Sequence, residues 1–144
     1  ENHDSKLNFT LAALAHDCME AIGAPRFTEE EKAYARQVAQ AVGLPGVEGE
    51  LDESILPVDG TIKKDNGSSD VADVSQIVPV VNINTACYGR KTPNHSWAVT
   101  VQADKPAAHR GMLFAAKTLA LMGTRLATEP TLLAAVRAEF EQAE

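Results

Sequence analysis

Residues 77–103 read IVPVVNINTACYGRKTPNHSWAVTVQA, and they decide whether this chain contains a β-sheet. In residues 77–88, β-branched side chains are dense and successive residues point to opposite faces of an extended chain. In residues 97–103, apolar side chains again alternate with their neighbours. Such alternation is typical of strands. The stretch therefore predicts two strands joined by the loop 89–96.

Helical patterns lie on both sides of this stretch. Apolar residues recur every three or four positions from Leu7 to Ile22, and a glycine and a proline follow them. Thr28 and Glu31 have the spacing of a capping box, which opens a second helix. Further helices are predicted just after the turn at residues 67–69, from Pro106 onward, and over residues 129–142.

The order of elements is helix, helix, loop, strand, strand, helix, helix, with the short helix before the strands. This order predicts an α/β fold with few strands flanked by helices. Residues 44–67 form a long connection, with one short strand expected around Ile55 and Leu56. Because two main strands make a thin sheet for so much helix, further strands are expected from sequence outside this chain.

The composition excludes several classes of protein. With 144 residues, 44% hydrophobic and 23% charged, the chain can bury a core as one domain or part of one. Its apolar runs are too short to cross a bilayer, so no membrane partner is expected. Its 13 Lys and Arg against 20 Asp and Glu give a net charge of −7, which argues against a nucleic-acid partner.

The termini and cysteines indicate the setting of the protein. The chain begins at Glu1 rather than Met and shows no secretory signal, so we expect a piece of something longer or a removed leader. Cys18 and Cys87 lie far apart and form no disulfide framework. A reduced, cytoplasmic location is therefore expected.

His95 is the first candidate functional residue. It lies in KTPNHSW, where Pro93 stiffens the loop between the predicted strands. A neutral imidazole displayed there can bind a metal or carry a proton. The alternative is an ordinary loop histidine, because a metal site needs three or four ligands and no zinc-binding spacing such as H-x-x-x-H or C-x-x-C occurs.

The turn at residues 67–70 is the second candidate. Gly67, Ser68 and Ser69 precede a helix, so backbone N–H groups and hydroxyls could face an anionic ligand. Asp70 brings negative charge to the same place and could instead cap the helix, which the residues alone favour.

Two basic residues next to the His95 loop are weaker candidates. Arg90 and Lys91 could attract a carboxylate, although solvated loop charges are the more common case.

Three segments together resemble a known enzyme family. GSSDVADVSQIVPVV (67–81), TPNHSW (92–97) and AAHRGMLFAAKTLA (107–120) resemble the C-terminal part of the aminobenzoyl-glutamate utilization protein B family. AIGAPRFTEEEKAYARQVA (21–39) is similar to the stretch that precedes this part. The family belongs to a zinc metallopeptidase superfamily with aminoacylases, indole-acetyl-amino-acid hydrolases and glutamate carboxypeptidases.

The resemblance implies a split catalytic domain with an inserted lid domain that makes a dimer contact. It implies two zinc or manganese ions and a glutamate general base that activates water for attack on an amide carbonyl. His95 matches the last metal ligand. Near the active site, the resemblance places four residues that shape the substrate pocket or support the metal ligands: Gly67, Ser68, Ser69 and Asp70.

No residue of this chain matches the family's other metal ligands or its general base, so no catalytic residue is assigned. The resemblance makes residues 1–26 a helix from the end of the lid domain or the return connection. Residues 27–144 become the C-terminal part, or second half, of the di-metal catalytic domain.

The expected function is that of a fragment of a metal-dependent amidohydrolase acting on an N-acyl or aminobenzoyl amino acid such as p-aminobenzoyl-glutamate. One histidine cannot hold two divalent ions, so we expect the isolated chain to be inactive and to bind metal weakly. Its expected partners are the N-terminal remainder of the same chain and, through the missing lid, a second copy. The alternatives are a non-catalytic carboxylate-binding module that uses the turn with Arg90 and Lys91, and an assembly module whose apolar helices pack on a partner.

Overall fold

Helices make up the regular structure of the residues that the computed structural model describes, 4–44, 49–60 and 69–142. These residues form α1 (Phe9–Ile22), α2 (Glu29–Ala41), α3 (Val71–Val74), α4 (Trp97–Ala103), α5 (Pro106–Thr128) and α6 (Pro130–Gln142). The chain divides into two units: unit 1 is Glu1–Ala21, Leu56–Ile83 and Thr118–Glu144, and unit 2 is Ile22–Ile55 and Asn84–Lys117.

The predicted α/β fold is wrong, because the described residues contain no strand. Residues 97–103, predicted as a strand, form helix α4. The residues that this helix buries are Ala98, at 0% exposure, and Gln102, at 4%, one helical turn apart. A stretch of seven residues is too short to separate the two-residue period of a strand from the 3.6-residue period of a helix. The burial of these two side chains on one face selects the helix.

Residues 77–88, the other predicted main strand, have neither helical nor strand structure. A strand needs a neighbour whose backbone groups complete its hydrogen-bond ladder. The segment predicted to pair with it is α4, so the described chain offers it no ladder. The short strand expected around Ile55 and Leu56 is also not formed.

The helices predicted on either side of this stretch are confirmed. α1 ends at Ile22, directly before Gly23, whose φ of +81° is a left-handed conformation that glycine adopts without strain. α2 has the predicted capping box: the Thr28 hydroxyl accepts from the Glu31 N–H at 3.2 Å, and the Glu31 carboxylate accepts from the Thr28 N–H at 2.7 Å.

Unit 1 has an apolar core between helices. One face of α1 packs with residues of α5 and α6, and Val81 and Ile83 lie against this cluster. The buried members are Leu11, Leu14, Ala15, Cys18, Met122 and Val136. The side of α1 that the apolar periodicity marked is therefore the side that packs.

Side chains satisfy the N-terminus of α1. The Glu139 carboxylate of α6 accepts from the N–H groups of Phe9 and Thr10, at 2.6 and 2.8 Å. Asn8 accepts from the Leu11 N–H at 2.8 Å and donates to the Val136 carbonyl at 2.9 Å. These bonds satisfy donors that a helix leaves without intrahelical partners and join α1 to α6.

Unit 2 has a smaller core and depends on close backbone contact. Its buried apolar cluster is Phe27, Ala35, Leu51 and Ala107. Gly111 of α5 lies so close to the chain at residues 86–87 that a Cβ atom would overlap the Ala86 carbonyl and the Cys87 sulfur. Only glycine fits this position without a shift of backbone.

The large apolar residues of α5 do not mark its buried face. Met112 and Leu119 are 56% and 54% exposed. The buried face instead includes Gly111, Phe114 and Thr118. Periodicity read from large apolar residues missed this face because a glycine and a threonine belong to it. None of the described helices is long and apolar enough to cross a membrane.

Gly111 and Gly123 provide a matched pair of substitutions on α5. Gly111→Ala is expected to destabilise the chain by about 1–3 kcal/mol, because the new methyl group overlaps backbone. Gly123→Ala meets nothing within 4 Å and is expected to stabilise by about 0.5–1 kcal/mol through helix propensity. Urea unfolding of both variants measures the change in the free energy of unfolding. Equal changes in the two variants would contradict the close backbone contact at Gly111.

Glu139 makes the stability of the chain depend on pH. Burial opposes its ionisation, but the hydrogen bonds from Thr10 and Phe9 outweigh burial and lower its pKa. Its stabilising effect is therefore present above the usual glutamate pKa and is lost as the pH falls through the lowered folded value.

We expect Glu139→Gln to cost about 1 kcal/mol at pH 7, because the helix N-terminus loses a charged acceptor. The cost should shrink in acid, where the wild-type carboxylate is itself protonated. Denaturant titrations at pH 7 and pH 3 test this, with Glu141→Gln on an exposed position of the same helix as the control. If the loss of unfolding free energy on Glu139→Gln were the same at pH 7 and pH 3, this would contradict the stabilising role of the ionised Glu139 carboxylate.

Candidate functional site

His95 lies in loop 89–96, which leads directly into α4 rather than between two strands. Its side chain is exposed. A cavity of about 440 Å³ is lined by Asn94, His95, Ser96, Val99 and Thr100. The imidazole is therefore accessible at the surface of unit 2.

The loop backbone is held in an unfavourable conformation at two positions. Lys91 and His95 have φ angles of +55° and +56°, the positive values among the described non-glycine residues. A left-handed conformation costs a residue with a Cβ atom about 1–2 kcal/mol. Such strain persists only where the surrounding contacts hold it, and it occurs preferentially at functional sites.

Buried hydrogen bonds anchor the first half of this loop. The Gln102 side-chain oxygen accepts from the Gly89 N–H at 3.0 Å, and the Gln102 side-chain nitrogen donates to the Ala98 carbonyl at 2.9 Å. The Thr92 hydroxyl donates to the Gly89 carbonyl at 2.6 Å. Both side chains are buried, so these bonds form away from competing water.

The second half of the loop has its own contacts. The Tyr88 hydroxyl donates to the Asn94 side-chain oxygen at 3.2 Å. The Ser96 hydroxyl donates to the Pro93 carbonyl at 2.5 Å, and no side-chain cap forms at the start of α4. The residues on both sides of His95, Asn94 and Ser96, are therefore held by hydrogen bonds.

The sequence did not indicate Gln102. It stands in WAVTVQA, which alternates as a strand would, and a single glutamine carries no motif. A signal is visible once the segment is taken as a helix, because Ala98 and Gln102 are then four residues apart on one face.

The described residues do not form a complete metal site. In residues 4–44, 49–60 and 69–142, no three His, Cys, Asp or Glu side chains come together to hold a metal ion. On α1, the His16 Nε2 atom lies 3.9 Å from the Glu20 Oε1 atom. His109 is exposed on α5. The ligand role of His95 stays a prediction.

The turn predicted at residues 67–70 falls only partly within the described chain. Gly67 and Ser68 lie outside it. Ser69 and Asp70 are exposed, and they belong to unit 1 whereas His95 belongs to unit 2. The Ser69 hydroxyl accepts from the Val71 N–H at 3.2 Å, and Asp70 makes no side-chain cap bond. Asp70 therefore lies at the predicted N-cap position without the side-chain bond of a cap, and the substrate role of all four residues stays a prediction.

Arg90 forms an ion pair with Asp52 of the same chain. Its guanidinium donates to one oxygen of Asp52 at 2.6 and 3.0 Å. Burial opposes ionisation of Asp52, but hydrogen bonds from Ser54 and Arg90 outweigh it and lower the Asp52 pKa. The adjoining cavity of about 500 Å³ has four acidic and three basic side chains in its lining, which does not favour an anionic ligand.

Both cysteines are free thiols, as predicted. Cys18 is buried, and Cys87 is partly buried beside the close contact at Gly111. Their places in the packing account for them without a reactive role.

Comparison with known proteins confirms the resemblance seen in the sequence. The chain is similar to one of the subunits of p-aminobenzoyl-glutamate hydrolase, the one designated B, of Escherichia coli (strain K12), with 28% identity over 158 residues. The match covers 94% of this chain and 33% of that protein, so the chain spans about a third of the length of the relative. No protein-family model and no solved structure matches the chain.

Thr92 and Thr100 provide a matched test of the loop anchor. Thr92→Val removes the buried bond to the Gly89 carbonyl and is expected to cost about 1 kcal/mol of folding free energy. Thr100→Val removes a 3.5 Å exposed contact to the Ser96 carbonyl and should change stability by less than about 0.5 kcal/mol. Thermal unfolding compares the two variants, and equal costs would contradict the anchoring role of Thr92.

Proposed function

We propose that this chain is a segment of a hydrolase that cleaves the amide bond between an aminobenzoyl or other acyl group and an amino acid such as glutamate. The observation that carries this proposal is the similarity of 94% of the chain to a p-aminobenzoyl-glutamate hydrolase subunit. The conclusion concerns the parent enzyme, because the chain spans about a third of that relative.

The proposed hydrolase depends on zinc or manganese, and His95 is one of its metal ligands. An exposed imidazole in a loop with fixed backbone supports this role, because a ligand held in one position binds a metal without the cost of ordering the loop. The remaining ligands and the general base come from residues outside this chain.

The partners of the proposed enzyme follow from the same similarity. The relative is named as a subunit, so we propose that this chain works in an assembly with further polypeptide. A homodimer and a cytoplasmic location are parts of the proposal. The carboxylate-binding alternative is weakened at one of its two cations, since Arg90 is bonded to Asp52.

The isolated chain should bind zinc weakly through His95 and should not hydrolyse p-aminobenzoyl-glutamate. Zinc titration followed by NMR is expected to shift resonances of loop 89–96. His95→Gln should abolish these shifts, whereas His109→Gln, which alters an exposed histidine on α5, should leave them intact. Tight one-to-one zinc binding with turnover by the chain alone would contradict the segment proposal.

A chimera tests the enzyme function directly. The chain replaces the matching third of the Escherichia coli relative, and release of p-aminobenzoate is measured with zinc or manganese present. We expect hydrolysis, and a loss of about 100-fold or more on His95→Gln, because the metal-dependent step loses a ligand. His109→Gln is again the control. Hydrolysis that is equal with and without His95 would contradict its ligand role.

A further inference from the structure

We propose that Gln102 is the positioning residue that holds loop 89–96 in the conformation that presents His95. The inference rests on the proposed function, in which His95 is the functional side chain of this loop. Gln102 does not belong to any segment that carried the family resemblance, and it lies seven residues beyond His95 on helix α4.

The Gln102 amide uses both of its ends, and it is only 4% exposed. Its oxygen accepts from the Gly89 N–H at 3.0 Å, and its nitrogen donates to the Ala98 carbonyl at 2.9 Å. The same nitrogen lies 3.5 Å from the Thr92 hydroxyl oxygen. One side chain therefore connects the start of the loop to the helix that follows the loop.

The chemistry of this contact requires a neutral amide of this length. The Gly89 N–H needs an acceptor and the Ala98 carbonyl faces a donor, and glutamine supplies both without burying a charge. An apolar side chain of the same volume would fill the space but leave the Gly89 N–H buried without a partner. A buried donor without a partner is costly, so the loop would move to find water.

Gly89 is fixed from its other side as well. A Cβ atom at Gly89 would overlap the carbonyl of Gly49, so the two backbones are in direct contact. The Arg90 N–H donates to the Glu50 carbonyl at 2.9 Å. The first residues of the loop are therefore held between Gln102 on one side and residues 49–50 on the other.

These anchors explain how the strained residues are held. Only Pro93, Asn94 and His95 separate the anchored Thr92 from Ser96, the residue before α4. Lys91 lies between Arg90 and Thr92, whose N–H groups donate to the Glu50 and Gly89 carbonyls. Both left-handed φ angles, at Lys91 and His95, therefore fall in short spans between fixed residues, which leave few backbone conformations.

The test uses NMR on the 144-residue chain without metal. Gln102→Met keeps the volume of the side chain and removes both hydrogen-bonding ends. We expect amide exchange at Gly89 to become about tenfold or more faster. We also expect the backbone chemical shifts of Lys91 and His95 to leave the values of a left-handed conformation.

Glu53→Gln is the matched control in the same unit. The Glu53 carboxylate accepts from the Phe27 N–H at 2.8 Å and pairs with Lys32, so its loss weakens unit 2 without touching the loop. Exchange at Phe27 should rise in this variant while the shifts of Lys91 and His95 stay unchanged. A purely structural role for Gln102 would make the two variants alike, and that result would overturn the proposal.

Thr92→Val extends the test if Gln102→Met does not fold. It removes one bond of the same anchor, and a smaller change of the same kind at Gly89 and His95 supports the proposal. Unchanged loop shifts in a folded Gln102→Met, or in Thr92→Val where the first variant is unfolded, would overturn it. The readout contains neither metal nor substrate, so failure of the zinc titration or of the chimera counts against the proposed function alone.

Discussion

Side-chain oxygens accept hydrogen bonds from several backbone N–H groups at helix starts and in loops of this protein, and the packing around these groups depends on those bonds. The described residues have no sheet in which such groups could pair, and a buried N–H without a partner is costly. The Glu139 carboxylate accepts from the N–H groups of Phe9 and Thr10. The Glu53 carboxylate accepts from the Phe27 N–H, and the Gln102 side-chain oxygen accepts from the Gly89 N–H. Within the described chain, no buried side-chain nitrogen or oxygen lacks a partner.

This constraint gives the acidic composition a structural meaning. The net charge of −7 argues against nucleic acid as a partner, and composition alone says nothing more. In the structure, Glu139 lies at the N-terminus of α1 and Glu31 lies in the first turn of α2, where helix dipoles favour negative charge. Asp52 accepts from Arg90, one of the two cations that the carboxylate-binding hypothesis used. Part of the acidic excess therefore stabilises the chain's own fold.

The helices were predictable from local signals, and the region around the candidate site was not. The capping box at Thr28, the glycine after Ile22 and the proline that opens α5 act on neighbouring residues, so the sequence reveals them. Residues 77–103 depend on distant contacts instead. Local alternation could not show that Gln102 would be buried against Gly89, thirteen residues earlier, and this contact belongs to a helix rather than a strand. His95 could be singled out, but the residue that fixes its loop could not.

The two units differ in what holds them, and the difference bears on His95. Unit 1 packs leucine, methionine and valine side chains from three helices, and such a core tolerates small shifts. The apolar cluster of unit 2 consists of Phe27, Leu51 and two alanines, and Val38 and Phe114 are buried elsewhere in the unit. Its precision comes instead from backbone contacts at glycines and from the buried Gln102 amide, which are directional and short in range. Because a loop that must present an imidazole needs a fixed direction more than a large buried area, this kind of stabilisation suits the unit that carries His95.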